Sequence, residues 1–180
     1  IKNYAIKNDA NLIVMGSKGV SDFEEMIIGS NTEKVVRTSN IPVIVVKTDA
    51  NKFKFKKIVF ASNYDEENKV AFKDFLVFAK KFNSQIHLLK INTVSNFESS
   101  YATQNKIKNF IKDFDLQRKT INIYNDVSVV KGIMNFAKDI DADLIALSTH
   151  GRSGLSSLFN GSIAKSVSKN VLKPVITFKI

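Results

Sequence analysis

The chain has 180 residues, 44% hydrophobic and 24% charged, the balance of a packed globular protein and not of a disordered one. It contains no cysteine, which excludes disulfides and thiolate metal sites and fits a reducing, cytoplasmic setting. The net charge of +10 invites a nucleic-acid partner, but the lysines are dispersed and the arginines are three, Arg37, Arg118 and Arg152. No arginine-rich reading surface results, and specific nucleic-acid binding is not expected. No apolar run approaches the roughly 20 residues needed to cross a bilayer, so no membrane partner is expected. The N-terminus, Ile-Lys-Asn-Tyr, has no signal-peptide layout.

In chain order, residues 1–8 read as the end of a helix and Leu12–Met15 as a strand. A glycine-containing loop runs from Gly16 to Gly29, a helix opens at Ser30, and Ile41–Val46 forms a strand around Pro42. A basic stretch from Lys52 to Lys57 reads as a solvated linker, in which Phe53 and Phe55 could dock onto a neighbouring surface. Lys57–Ala61 is a short apolar run suited to a buried parallel strand. From Glu66 to Phe82, Val70, Phe72, Phe75, Leu76, Ala79 and Phe82 recur at helical spacing. Gln85–Ile91 reads as a strand, Asn105–Phe114 as a helix, Thr120–Tyr124 as a strand, and Val129–Ile140 as a helix with Val130, Ile133, Met134, Ala137 and Ile140 inward. Leu144–Leu147 is then a strand, a second glycine loop follows, Ser162–Val171 is a helix, and Pro174 opens a last strand, Val175–Ile180.

The chain repeats itself. At an offset of 132, without gaps, 16 of 48 overlapping positions are identical, among them Gly19 with Gly151, Gly29 with Gly161, Ser30 with Ser162 and Pro42 with Pro174. Alternating strands and helices imply a doubly wound α/β fold, a five-stranded parallel sheet with helices on both faces, present here as a tandem repeat. The expected organisation is the C-terminal part of a first domain at residues 1–48, a linker at 49–56, and a complete second domain at 57–180. The first copy lacks counterparts of the first three strands, and a two-strand remnant cannot bury its own faces. The native protein is therefore expected to hold two such domains.

In an open α/β sheet, ligands sit at the carboxyl ends of the strands. Both glycine loops leave such an end: Gly16-x2-Gly19-x9-Gly29-Ser30 in the first copy, and Ser148-x2-Gly151-x9-Gly161-Ser162 in the second. Glycine permits close backbone approach and positive φ. A helix opening with Gly-Ser presents free N–H groups backed by the positive end of its dipole, which suits a phosphate. The competing reading is that the glycines only turn the chain and the serines only cap helices; keeping the spacing in two diverged copies favours a ligand loop.

The pattern Gly-x2-Gly-x9-Gly-Ser, then a helix, then Pro-Val and a final strand, resembles the universal stress protein family over essentially the whole chain. The resemblance implies an adenine nucleotide as ligand, ATP as cofactor with Mg²⁺ accompanying it, and phosphate contacts at Gly151, Gly161 and Ser162, and at Gly16, Gly19, Gly29 and Ser30. His150 and Arg152 beside Gly151 read as basic ligand contacts, since the first-copy equivalent of His150 is Lys18. In ATP-binding members, an Asp at the end of the first strand contacts the adenosine; here that position is Asn63, uncharged. The first loop glycine is likewise replaced by Ser148. The resemblance further implies self-association through the last strand of each copy, Val43–Val46 and Val175–Phe178, apolar edge strands through which the two copies should pair with pseudo-twofold symmetry inside one full-length chain.

No nucleophile–base–orienter set is present, since the histidines are His87 and His150 alone. His87, between Ile86 and Leu88, reads as structural. Asp9, Asp141 and Asp143 read as helix-end and turn residues, not metal ligands. The expected function is thus a stress-response module that binds adenine nucleotide, with slow ATP hydrolysis at most. The alternative is a dimerisation scaffold whose second site has degenerated.

Overall fold

The computed structural model describes residues 1–16, 30–46, 54–149 and 173–180. Its elements are α1 (Lys2–Lys7), β1 (Ile13–Gly16), α2 (Ser30–Thr38), β2 (Val43–Val46), β3 (Lys57–Ala61), α3 (Asn68–Lys81), β4 (Gln85–Asn92), α4 (Ser100–Ile111), β5 (Lys119–Asn125), α5 (Val129–Asp139), β6 (Leu144–Thr149) and β7 (Val175–Lys179). The helix expected at 162–171 lies outside the described residues. One expectation was too short: α4 begins at Ser100, five residues before Asn105, because Ser99 Oγ caps it by accepting Ala102 N–H at 3.2 Å. Its buried residues, Thr103, Ile107, Phe110 and Ile111, fall mostly in the second half, so apolar spacing alone misses the polar first turn.

Among the described residues, the strands lie in one seven-stranded sheet, ordered β1-β2-β7-β6-β3-β4-β5. The five from β7 to β5 are parallel, as the alternation of strands and helices requires. The sheet does not stop at β7. β2 joins it antiparallel, with Val43 opposite Thr177, Ile44 opposite Ile176 and Val45 opposite Val175, and β1 pairs parallel with β2. The last strands of the two copies thus pair with each other within the chain, as the resemblance implied, and β1 and β5 are the edges of the combined sheet.

Alternation along the strands divides the core between two faces. On one face, Phe60, Leu88, Ile176 and Phe178 lie under Phe72 and Phe75 of α3 and Ile107 and Phe110 of α4, and the cluster runs across the antiparallel join to Ile44. Its rings interlock edge-on, with Phe60 and Phe72 at 4.9 Å and Phe72 and Phe110 at 5.2 Å. Val70 and Phe82, on the helical spacing of α3, are exposed; Ala71 takes the place of Val70 in the buried stripe. On the other face, α5 sets Ile133, Phe136 and Ala137 on Val59, Leu89, Ile91 and Ile145. α5 comes close enough there that a Cβ on Gly132 would sit 2.8 Å from Ile91 Cγ2. A separate cluster joins Ala5, Val35 and Val36 to Ile13, Val43 and Val45.

The linker aromatic docks as expected: Phe55 stacks edge-on with Phe82 at 4.8 Å and Phe78 at 5.6 Å. Phe53 lies outside the described residues. Three helices end alike, on Asp9, Asn83 and Asp141, each at φ 48. The N–H of the following residue returns to a carbonyl one turn back: Ala10 to Ala5 at 3.0 Å, Ser84 to Ala79 at 3.2 Å and Ala142 to Ala137 at 2.8 Å. Asn and Asp fill the left-handed position that glycine commonly takes.

Candidate functional site

The carboxyl ends of β3 and β6 are neighbours, since Ala61 pairs with Leu147. Asn63 and Ser148, respectively two residues and one residue beyond that pair, are therefore neighbours at the start of the second glycine loop. Asn63 is exposed. Ser148 is half-buried, and its hydroxyl hydrogen-bonds Asn68 Oδ1 at the buried start of α3. The side chain that replaces the first loop glycine thus ties the β6 end to α3.

Tyr64 fixes the turn after β3. It stands at φ 59, a conformation uncommon for a bulky residue, and it is buried. Its hydroxyl lies 3.0 Å from Phe60 O and 3.3 Å from Leu89 O, and its ring meets Phe110 at 5.3 Å. Burial pushes the phenol well above its ordinary pKa, so it remains a donor across the physiological range. Ser62 Oγ accepts Tyr64 N–H at 3.0 Å. The strained backbone is held by packing and hydrogen bonds on three sides, as backbone strain at binding sites commonly is.

Beside this turn, the end of β4 is polar. Thr93 and Asn96 close a capping box, and Asn92 Nδ2 donates to Glu98 O at 2.9 Å. Asn92 Oδ1 is buried and without a hydrogen-bond partner among the described residues. Lys106 of α4 bridges to Asp65 at 2.7 Å, fastening the β3–α3 turn to α4. Sequence reasoning missed Tyr64, Asn68 and Asn92. The first carries no local signal, because a tyrosine at positive φ is imposed by its surroundings; the other two lie at strand and helix ends beside a suspected site, which could have marked them.

Of the first loop, Gly16 ends β1, and its carbonyl accepts Thr32 Oγ1–H at 3.0 Å, which draws the first turn of α2 onto the strand end; Ser30 is exposed there. Gly19, Gly29, His150, Gly151, Arg152, Gly161 and Ser162 lie outside the described residues. The antiparallel β2–β7 join points the carboxyl ends of β1 and β6 to opposite ends of the sheet. The two loop mouths are therefore not brought together.

His87 is structural, as expected. Its Nδ1 lies 2.9 Å from Thr120 Oγ1, its ring faces Phe136, and burial, aided by the charge of Lys57, lowers its pKa below the ordinary value. Asp143 is a clamp: its Oδ2 accepts both Lys56 N–H and Lys57 N–H at 2.8 Å, fixing the start of β3. Asp141 pairs with Lys173 at 2.6 Å, which lowers its carboxyl pKa. Among the described residues no cluster of His, Asp and Glu could hold a metal ion, and no helix is long and apolar enough to cross a membrane.

Comparison with known proteins agrees with this architecture. A universal stress protein from Archaeoglobus fulgidus superposes with a TM-score of 0.72 at 22% identity, over 99% of this chain and 63% of that one. A universal stress protein solved in complex with cAMP superposes with a TM-score of 0.54 at 14% identity, over 69% of this chain and 97% of that one. Both establish the fold. The universal stress protein YxiE of Bacillus subtilis is 43% identical over 47 residues, which make up 26% of this chain and 32% of that protein, so the match spans about a third of the curated relative. The model of the Universal stress protein family matches residues 1–47 and 54–179. With nearly all of its residues inside that match, the chain belongs to the universal stress protein family.

Proposed function

We propose that the chain is a nucleotide-responsive binding module of the cytoplasm, with an adenine nucleotide at the carboxyl ends of β3 and β6. The observation that carries this reading is the adjacency of Asn63 and Ser148 at the mouth of a loop with the spacing Gly-x9-Gly-Ser. In the proposed complex, Gly151, Gly161 and Ser162 receive the phosphates, His150 and Arg152 add positive charge, and Asn63 takes a nucleoside hydroxyl or ring nitrogen. The donor set suits such a ligand: exposed Asn63 offers both a donor and an acceptor, and Asn92 Oδ1 is a buried acceptor left open. The complex of a related protein with cAMP supports the choice of an adenine nucleotide. Gly16, Gly19, Gly29 and Ser30 would be the corresponding phosphate contacts of the first copy, whose strand end at Gly16 lies at the opposite end of the sheet. ATP is the leading candidate, with Mg²⁺ supplying charge neutralisation to its phosphates. The module acts through binding, and hydrolysis is slow at most.

Titration calorimetry of the chain with ATP, AMP and cAMP tests the proposal. A saturable heat for at least one nucleotide, weakened about fivefold by Asn63→Ala, is the expected outcome, since one hydrogen bond contributes roughly 1 kcal/mol. Flat titrations with all three overturn it. They would favour a second reading, a scaffold that works through domain pairing and self-association. The commitment of the Ser148 hydroxyl to Asn68 and the neutral Asn63 favour that reading.

A further inference from the structure

At the amino ends of β4 and β5, a cavity of about 310 Å³ opens between the last turn of α3, the start of β4 and the loop from α4 to β5. That volume is at the lower end of the roughly 300–1,000 Å³ usual for small-molecule pockets, and it equals the share of about ten liquid waters. Both glycine loops are distant from it. Asn63 and Ser148 stand at the carboxyl ends of β3 and β6, the opposite end of the parallel strands. Gly16 shares the cavity's end of the sheet, but β1 and β4 are five strand spacings apart, about 24 Å.

The lining divides by chemistry. Leu76 and Ala79 of α3, Ile86 of β4 and Leu116 make it apolar within. Ser84 also lines it, but its hydroxyl is already donated to Phe55 O. Around the mouth stand Lys80, Asp115 and Arg118, all exposed. Arg118 is anchored there, since Nη1 donates to Asn83 O at 3.2 Å and the remaining guanidinium N–H groups are left to other acceptors. Neither Arg118 nor Lys80 meets a carboxylate among the described residues, although Asp115 shares the same mouth. Beside them, Lys56 Nζ reaches Phe82 O at 3.5 Å. Lys56 and Arg118 thus cover carbonyls at the end of α3 and offset the negative end of its dipole, which would otherwise repel an anion. Two cations against Asp115 leave the mouth with one net positive charge, which suits a monoanion better than a dianion.

We propose that this cavity is a second ligand site, which takes a small monocarboxylate with an apolar body of about ten non-hydrogen atoms in all. The body lies against Leu76, Ile86 and Leu116, where it leaves water. The carboxylate stays at the mouth and accepts N–H groups of the anchored Arg118 guanidinium, whose planar fork matches a carboxylate. Lys80 adds a second positive charge, and Asp115 raises the cost of any more highly charged ligand. Each half of the lining is needed: the apolar floor alone would take a neutral hydrocarbon, and the cations alone would take any anion.

The test is an NMR titration of the 180-residue chain, without nucleotide, using octanoate, octanol and inorganic phosphate as probes. The expected result is a saturable shift of the Ser84, Ile86, Leu116 and Arg118 amides with octanoate, at a Kd in the millimolar range or below. Octanol and phosphate should each bind at least about tenfold more weakly, because each lacks one half of the recognised chemistry. Arg118→Gln, a change at an exposed side chain, should weaken octanoate about tenfold and leave the unfolding midpoint of the free chain nearly unchanged. Lys80→Gln should weaken it less. Asn63→Ala should leave octanoate binding as it was, which separates this site from the nucleotide reading. Absence of a saturable shift overturns the proposal. Equal binding of octanol reduces the cavity to an apolar dimple, and equal binding of phosphate reduces its mouth to a general anion patch; either result overturns it. So does octanoate binding that Arg118→Gln does not change, which would leave Arg118 only its bond to Asn83 O.

Discussion

In the C-terminal unit, α5 and β6 lie against β3, β4 and α3; their repeats, α1 and β1, end the sheet with one flank open. The sequences are close, yet Phe136 is core and Tyr4 is surface. Burial is thus a property of what the topology brings alongside a residue, and similar side chains acquire opposite energetic weight. Where cover is shared, as at Ala5 and Ala137 or Ile44 and Ile176, the two copies behave alike.

The largest separation is expected from truncating the aromatic pair. Phe136→Ala should cost about 3–5 kcal/mol, by loss of buried area and the cavity left behind, and Tyr4→Ala in the 180-residue chain about 0.5 kcal/mol or less. Urea unfolding of both variants measures this; equal losses would break the comparison. Next is volume. Ala146→Val forces two extra carbons beneath α3 and should cost about 1–3 kcal/mol, whereas Val14→Ala should be near neutral in the same assay. A smaller contrast lies in the clamp. Asp143→Ala releases the N–H groups of Lys56 and Lys57 at an exposed site and should cost about 1 kcal/mol, while Asn11→Ala should be neutral; a shift in the thermal midpoint of the first variant alone is the expected outcome.

The smallest effect is a pH dependence confined to the C-terminal unit. The His87 pKa lies below its ordinary 6.5 in the folded chain. Between the two values the unfolded chain binds more protons, so stability rises with pH through that window. The contribution is complete above about pH 6.5 and is lost as pH falls toward the folded value. His87→Gln should flatten the stability profile there, read by thermal unfolding between pH 5 and 7.5. An unchanged slope would place its origin elsewhere.

Much of the fold was legible because periodicity reports burial on a covered face. Val130, Ile133 and Ala137 gave α5, and the apolar run Lys57–Ala61 gave a strand buried on both faces. The N-terminal half of α4 was not legible, since its stabilising feature is a serine cap and not an apolar stripe. At the candidate site, Ser148 was found by the loop spacing and Asn63 through the family resemblance, but the hydrogen bond from Ser148 to Asn68 was not, because its partners are 80 residues apart. Tyr64 escaped for a similar reason: carbonyls of β3 and β4 together stabilise its left-handed backbone.

The sequence by itself determined the repeat, the family resemblance, the alternation of elements and that five strands run parallel, because each of these is written in local spacing. Tertiary structure alone decided the strand order and the register of the β2–β7 join, that the loop mouths point to opposite ends, and which copy of each repeated residue is buried. Those outcomes depend on partners distant in sequence, and no local pattern encodes which surface a neighbouring strand will cover.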